Sequence, residues 1–285
     1  MLILASVAAL ANPLSAQFSP ALLQNASYWG DGKSEVDFYH AEFRRDGQKV
    51  ECEMLLIYTP TFIDPVSLAA VDDPKQPGAL PAIRMHQVAT VPRGLQPEQR
   101  SITAWWRLDL TSLARLTFAG TDGVGTFSRT VDEKREGDSS KWSYSGTTYR
   151  GRIEPAEIVP PSGIPVFYDE LPLRLRTIDF SKDAGEFEIQ VAGSLADPRP
   201  DKPVFQPAKV SYKIGARSIE IETKQGAATE RWMLDADFPF LLREWKGADG
   251  SSWKMKNSLR LDPSKYNKPG DRERALKDPM LRHPD

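Results

Sequence analysis

The sequence predicts a mostly β protein: an antiparallel curved sheet or half-open β-barrel, made of two similar β halves with little helix. Three observations predict it. Strand-length runs alternate apolar and polar residues with period two, as in 210–214 and 219–222. Aromatics and threonines are dense in those runs, which suits a pleated, half-buried surface. No stretch shows 3.6-residue periodicity long enough for a major helix.

Residues 1–16, MLILASVAALANPLSA, form an apolar run ending in Leu14-Ser15-Ala16. They read as the core and cleavage site of a signal peptide, too short to span a bilayer comfortably and lacking a basic n-region. A polar leader follows over 17–27, and its Asn25-Ala26-Ser27 matches a glycosylation sequon. The first hairpin fills 33–59, turning at Asp46-Gly47. On its second strand Val50, Cys52, Met54, Leu56 and Tyr58 share the face opposite Glu51 and Glu53.

Residues 60–81 are rich in proline and aspartate and read as a long loop. Strands are expected over 82–91, 101–110, 113–119, 124–131 and 141–153, with a charged turn at 132–140. Gly120, Gly123 and Gly125 precede a strand, so they read as a hairpin or bulge rather than a phosphate cradle, which needs a helix N-terminus. An N-terminal β half then spans 17–154. A proline-rich connection follows over 155–172, and a C-terminal β-meander half over 173–264. Strands in that half are expected over 173–180, 186–191, 210–214, 219–222, 228–236, 238–246 and 252–261. A polar tail, 265–285, is expected to be loosely ordered.

The net charge of −2 offers nothing to nucleic acid. After the leader, no apolar run reaches spanning length, so no integral membrane span is expected. The single cysteine, Cys52, excludes an intramolecular disulfide and reads as a small buried hydrophobe. His40, His86 and His283 are too scattered for a metal site, and no hydrolase elbow or P-loop appears. Catalytic residues, metal and cofactors are therefore expected to be none.

The seven tryptophans, Trp29, Trp105, Trp106, Trp142, Trp232, Trp245 and Trp253, are spread over many strands, as core aromatics or as the lining of an apolar cavity. Trp105 and Trp106 are adjacent, so one of them faces away from the core. The candidate ligand-binding residues are Trp29, Asp31, Lys33, Trp105 and Trp106.

Residues 28–60, YWGDGKSEVDFYHAEFRRDGQKVECEMLLIYTP, resemble the N-terminal region of a family of uncharacterised bacterial exported proteins, many of them lipoproteins. Some of these are labelled septum formation inhibitor. The match uses Tyr28, Trp29, Asp31, Gly32, Lys33, Glu35, Val36 and Tyr39, then Arg45, Gly47 and Leu56-Ile57. It departs at Arg45-Asp46-Gly47, where the family has RYG, and at Tyr58-Thr59-Pro60, where it has VTE. Ile83–His86 and the glycine-rich 120–127 look like later landmarks of the same family. Residues 231–260 resemble the end of a second group of exported β proteins of unknown function. Together these resemblances imply a cell-envelope location, periplasmic or secreted, and a barrel-like fold. They supply no catalytic residue and no ligand.

Three functions fit this description. The first is a non-enzymatic carrier of a lipid or other apolar small molecule. The second is an interaction module for another envelope protein. The third is a glycan hydrolase working through Asp31, Glu35 or Asp37.

Overall fold

A computed structural model describes residues 17–45, 47–109, 112–136, 139–149, 151–197 and 202–282. The candidate signal peptide, Asp46 and His283 lie outside the described residues.

The strands, in chain order, are β1 (Ser34–Arg45), β2 (Gln48–Ile63), β3 (Ala70–Val71), β4 (Leu80–Val91), β5 (Glu98–Arg107), β6 (Ser112–Asp122), β7 (Gly125–Glu136) and β8 (Ser139–Thr148). Then come β9 (Gly151–Ile158), β10 (Pro165–Phe167), β11 (Ala184–Ala192), β12 (Phe205–Ile214), β13 (Ser218–Gln225), β14 (Ala228–Asp235), β15 (Leu242–Lys246) and β16 (Ser252–Leu261). All belong to one curved sheet. Its edges are β10 and β9, with β11 to β16, then β1, β2 and β4 to β8 in order between them, β16 paired to β1, and β3 a short side pairing on β2. The pairing of β16 with β1 carries the sheet from the C-terminal strands into the N-terminal ones. The expected proline-rich connection, 155–172, is partly regular structure: it holds the end of β9, all of β10 and the start of a short helix, and only residues 159–164 cross from one edge, β9, to the other, β10.

The two edges approach through side chains. Trp142 on β8 stands edge-on to Phe167 on β10, with centroids 5.2 Å apart, and Phe205 on β12 lies 5.7 Å from it. Period-two alternation places the core as expected. Met54, Leu56 and Tyr58 on β2 are fully buried, while Glu51 and Glu53 face out. Residues 45 and 48 pair across the first turn, where Gly47 takes φ 77°. The glycine-rich segment is the β6–β7 hairpin, closed by Asp122 opposite Gly125.

Several stretches depart from the sequence reading. The expected charged turn, 132–140, is mostly strand, because β7 runs to Glu136 and β8 begins at Ser139, and β2 runs on through Pro60 to Ile63. Residues 173–180 are not a strand: α2 (Leu171–Arg174) sits between two 3-10 turns, Tyr168–Glu170 and Leu175–Thr177. Leucines alternate with arginines here and imitate a half-wet strand. Leu173, Leu175 and Arg176 are all buried, so the segment is a plug covered on every side. Pro172 in its first turn suits a helix start, where no N–H is needed. Residues 238–241 are also not strand, because Phe240 takes φ 58° and β15 begins only at Leu242.

The tail to residue 282 is packed rather than loose. It contains α3 (Asp271–Lys277), and Ala275 lies against Val36, Leu259 and Leu261 on the outer face of the sheet. The leader is likewise held, with Leu22 and Leu23 buried and Phe18 bridging to Ile178. Its Asn25 caps α1 (Ala26–Trp29), accepting from the Tyr28 N–H at 3.0 Å.

Candidate functional site

The most unusual chemistry lies where β1, the plug and the 236–241 loop meet. Strand alternation turns Glu35, Asp37 and Tyr39 inward. The plug delivers Arg176 opposite them. Its guanidinium grips Glu35 with two bonds, Nη1 to Oε1 at 2.6 Å and Nη2 to Oε2 at 3.0 Å, and both side chains are fully buried. Tyr28 donates its hydroxyl to Glu35 Oε2 at 2.5 Å. Arg176 also donates to the Pro239 carbonyl from Nε at 3.2 Å and Nη2 at 2.9 Å. Its guanidinium lies 4.8 Å from the centre of the Tyr58 ring. Beside it, Ser258 donates to Asp37 Oδ1 at 2.5 Å.

Burial sets the protonation here. It pushes Asp37 well above the usual carboxylate range, and the Glu35 charge adds to that; Arg176 and the Ser258 hydroxyl oppose it. Burial also raises Tyr28, Tyr39 and Tyr58, so all three keep their hydroxyl protons. For Arg176 burial works against the charge, and the groups facing it, Glu35 foremost with Tyr58 and Tyr28, together outweigh burial and hold the guanidinium ionised.

Above this floor opens a cleft of about 1040 Å³. Tyr28, Asp31 and Lys33 form one wall, and the 235–243 segment forms the other. Arg260 ties the first wall together. It pairs with Asp31 at 2.7 Å, donates to the Lys33 carbonyl at 3.0 Å and stacks 4.2 Å from the Tyr28 ring centre. On the second wall Arg243 pairs with Asp235 at 2.6 Å. Phe238 stands edge-on to Tyr28 at 5.2 Å and remains 42% exposed. Four cations, Lys33, Arg217, Arg243 and Arg260, face the three carboxylates Asp31, Asp235 and Asp237.

Of the residues singled out from sequence, Asp31 and Lys33 line the cleft. Trp29 lies beneath it, buried, with Nε1 donating to the Leu22 carbonyl at 2.8 Å. Trp106 is fully buried in the interior under the Arg174 guanidinium, 4.9 Å from a ring centre. Trp105 faces outward, as adjacency requires, and packs against the cluster of Ile63, Leu68 and Ala82. The structure therefore brings Trp29, Asp31 and Lys33 together and leaves Trp105 and Trp106 elsewhere.

Sequence reasoning missed Arg176, Arg217, Arg243 and Phe238. Only Arg176 carried a local signal, a cation inside a leucine-rich stretch. Glu35 and Asp37 are sealed under Tyr28 and Arg176, so they do not converge with Asp31 on an open cleft. On the outer face His40 Nε2 lies 3.6 Å from Glu42 and 3.9 Å from Glu51, but Lys49 already sits on both glutamates at 2.6 and 3.3 Å.

No protein-family profile matches the chain, and no curated protein matches it. Among solved structures, it is similar to a β-barrel-like protein of the domain of unknown function DUF1849 from Brucella abortus. That likeness covers 81% of this chain and 98% of the other, at 11% identity and a TM-score of 0.43.

Proposed function

We propose that this is a non-enzymatic binding module of the bacterial cell envelope, and that it engages a polar segment of another envelope protein in the end cleft. The observation that carries this reading is the cleft itself: open, walled by charges of both signs, with one exposed aromatic at Phe238. A polar peptide segment can answer those charges one by one. A lipid chain laid there would strip water from ion pairs without replacing it. The sheet's interior is an equally poor berth for a lipid, because Tyr39, Tyr58, Trp106 and the plug leucines already occupy it. The apolar run at residues 1–16 supports export to the periplasm or beyond. Among the described residues no helix is long and apolar enough to cross a membrane.

The test joins two measurements on protein from its own cells. Native mass spectrometry of gently purified protein should show the bare chain mass. A photo-crosslinker at Phe238 should give one discrete protein adduct, which Arg217→Glu weakens and which a crosslinker at Val66 does not form. A stoichiometric bound lipid would instead establish the carrier reading, and an adduct indifferent to Arg217→Glu would remove the cleft from the interaction.

A further inference from the structure

Two arginines are buried among the described residues, Arg176 and Arg129. Arg176 has Glu35 bonded to it, whereas Arg129 on β7 is bonded to backbone alone. Its Nη1 donates to the carbonyls of Leu195 and Asp197, and its guanidinium stands 5.9 Å from the centre of the Phe118 ring. Its Nε is buried and finds no acceptor. The acid that faces it, Asp169 of the plug, is bonded elsewhere: it accepts from the Ser194 hydroxyl at 2.5 Å and from the Leu195 N–H at 2.6 Å. Asp169 therefore answers Arg129 only through space. Buried arginines are ordinarily paired, and an unmet buried donor is costly.

Arg129 lines a cavity of about 360 Å³. Arg129 and Tyr144 bring β7 and β8 to it, and Ser194, Lys202, Gln206 and Gln225 bring the C-terminal strands. It lies where the two halves of the unclosed sheet face each other. The cleft of the proposed function uses Arg217 in the β12–β13 turn, while this cavity uses the other ends of those strands, at Gln206 and Gln225. The charged residues in its wall are the cations Arg129 and Lys202 and the acid Asp197. The 194–197 turn is pinned from both sides, since Asp169 holds the Leu195 N–H and Arg129 its carbonyl. That wall is set before a ligand arrives.

We infer that this cavity binds a small carboxylate with a hydroxyl-bearing body, a sugar acid in chemical class. A planar carboxylate matches the guanidinium edge that the two Nη1 bonds leave over. The Gln206 and Gln225 amides each donate and accept, which suits hydroxyl groups better than an alkyl chain. The volume is at the small end of ligand sites, enough for one such molecule.

The experiment titrates the full chain with galacturonate, glucuronate and gluconate by isothermal calorimetry, and follows the arginine Nε–H resonances. At least one acid should bind with Kd below about 1 mM and move the Arg129 signal. Galactose, which has the hydroxyls without the charge, should bind at least about tenfold more weakly. Arg129→Lys keeps the charge, loses the fork and should weaken binding about tenfold. That variant also disturbs the 194–197 turn, so Gln225→Leu gives a second reading: about fivefold weaker binding with an unchanged melt. Arg217→Glu in the cleft should leave these affinities as they are, which separates this site from the proposed partner cleft. Silence from all three acids or equal binding of galactose overturns the inference. So does an affinity unmoved in folded Arg129→Lys or, where that variant does not fold, in Gln225→Leu. Inorganic phosphate that binds more tightly than the acids overturns the assignment to a carboxylate.

Discussion

Changing Glu35 to Gln keeps the shape of the buried pair and removes one charge. Arg176 then stays ionised with no carboxylate bonded to it, in a place where both side chains have no solvent exposure. Removing one partner of such a pair costs about 3–5 kcal/mol. Arg176→Met costs a similar amount by a different route. It leaves Glu35 with the Tyr28 hydroxyl and next to Asp37, and it takes both donors from the Pro239 carbonyl. For a chain of this length about 1 kcal/mol moves Tm by about 2 °C, so each single variant should melt about 6–10 °C lower. The double variant Glu35→Met/Arg176→Met replaces the pair with apolar volume beside Tyr58 and should recover most of the loss. Thermal melts by circular dichroism, with urea unfolding followed by tryptophan fluorescence, complete the cycle. Single variants that lose less than about 1 kcal/mol, or a double variant that loses the sum of the two, would refute an interdependent buried pair.

Trp29→Ala should cost about 3–5 kcal/mol in urea unfolding, because the indole is buried and its N–H is bonded to Leu22; an unchanged midpoint would mean that it does not anchor the leader. Burial raises Asp169 to about 6 and Glu170 to about 7, despite the hydrogen bonds and arginines that oppose it. The folded state therefore binds these protons more tightly than the unfolded chain, so their contribution is complete below about pH 4 and is lost as pH rises through 6 and 7. At about 1.4 kcal/mol per unit each carboxyl accounts for about 3 kcal/mol, so Tm should fall from pH 5 to 8, and Asp169→Asn with Glu170→Gln should flatten that slope. Burial likewise pushes the Cys52 thiol up to about 11, so alkylation at pH 8 should be slow in the folded protein and rapid in urea; equal rates in both would place the thiol at the surface.

Most of the sheet was legible because each strand records its own two faces. The last strand falls at 252–261, where alternation put it, and Ile219, Ile221, Trp232 and Leu234 are buried as their period demands. The plug was not legible for the same reason. Leucine alternating with arginine is the pattern of a strand with one wet face, and nothing local says that Arg176 finds Glu35, 141 residues away. The candidate site was half legible. Asp31 and Lys33 stood out beside a conspicuous aromatic pair, but their partner Arg260 lies 229 residues from Asp31. It arrives only because β16 pairs with β1. Long-range pairing sets such contacts, and a linear reading of residue faces does not contain it.

The way the cleft is built also bears on how it can bind. Arg176 holds three separate parts at once: the plug that bears it, Glu35 on β1, and the Pro239 carbonyl of the cleft wall. Moving that wall outward strips acceptors from a buried guanidinium, and each unmet buried donor costs about 1–3 kcal/mol. On the opposite wall Arg260 fixes Tyr28, Asp31 and Lys33 through four contacts. Both walls are thus set before any partner arrives, so little ordering remains to oppose binding. The affinity of such a cleft rests on how well a segment matches the fixed charges, and charge reversal at Arg217 should act on binding while leaving the fold intact.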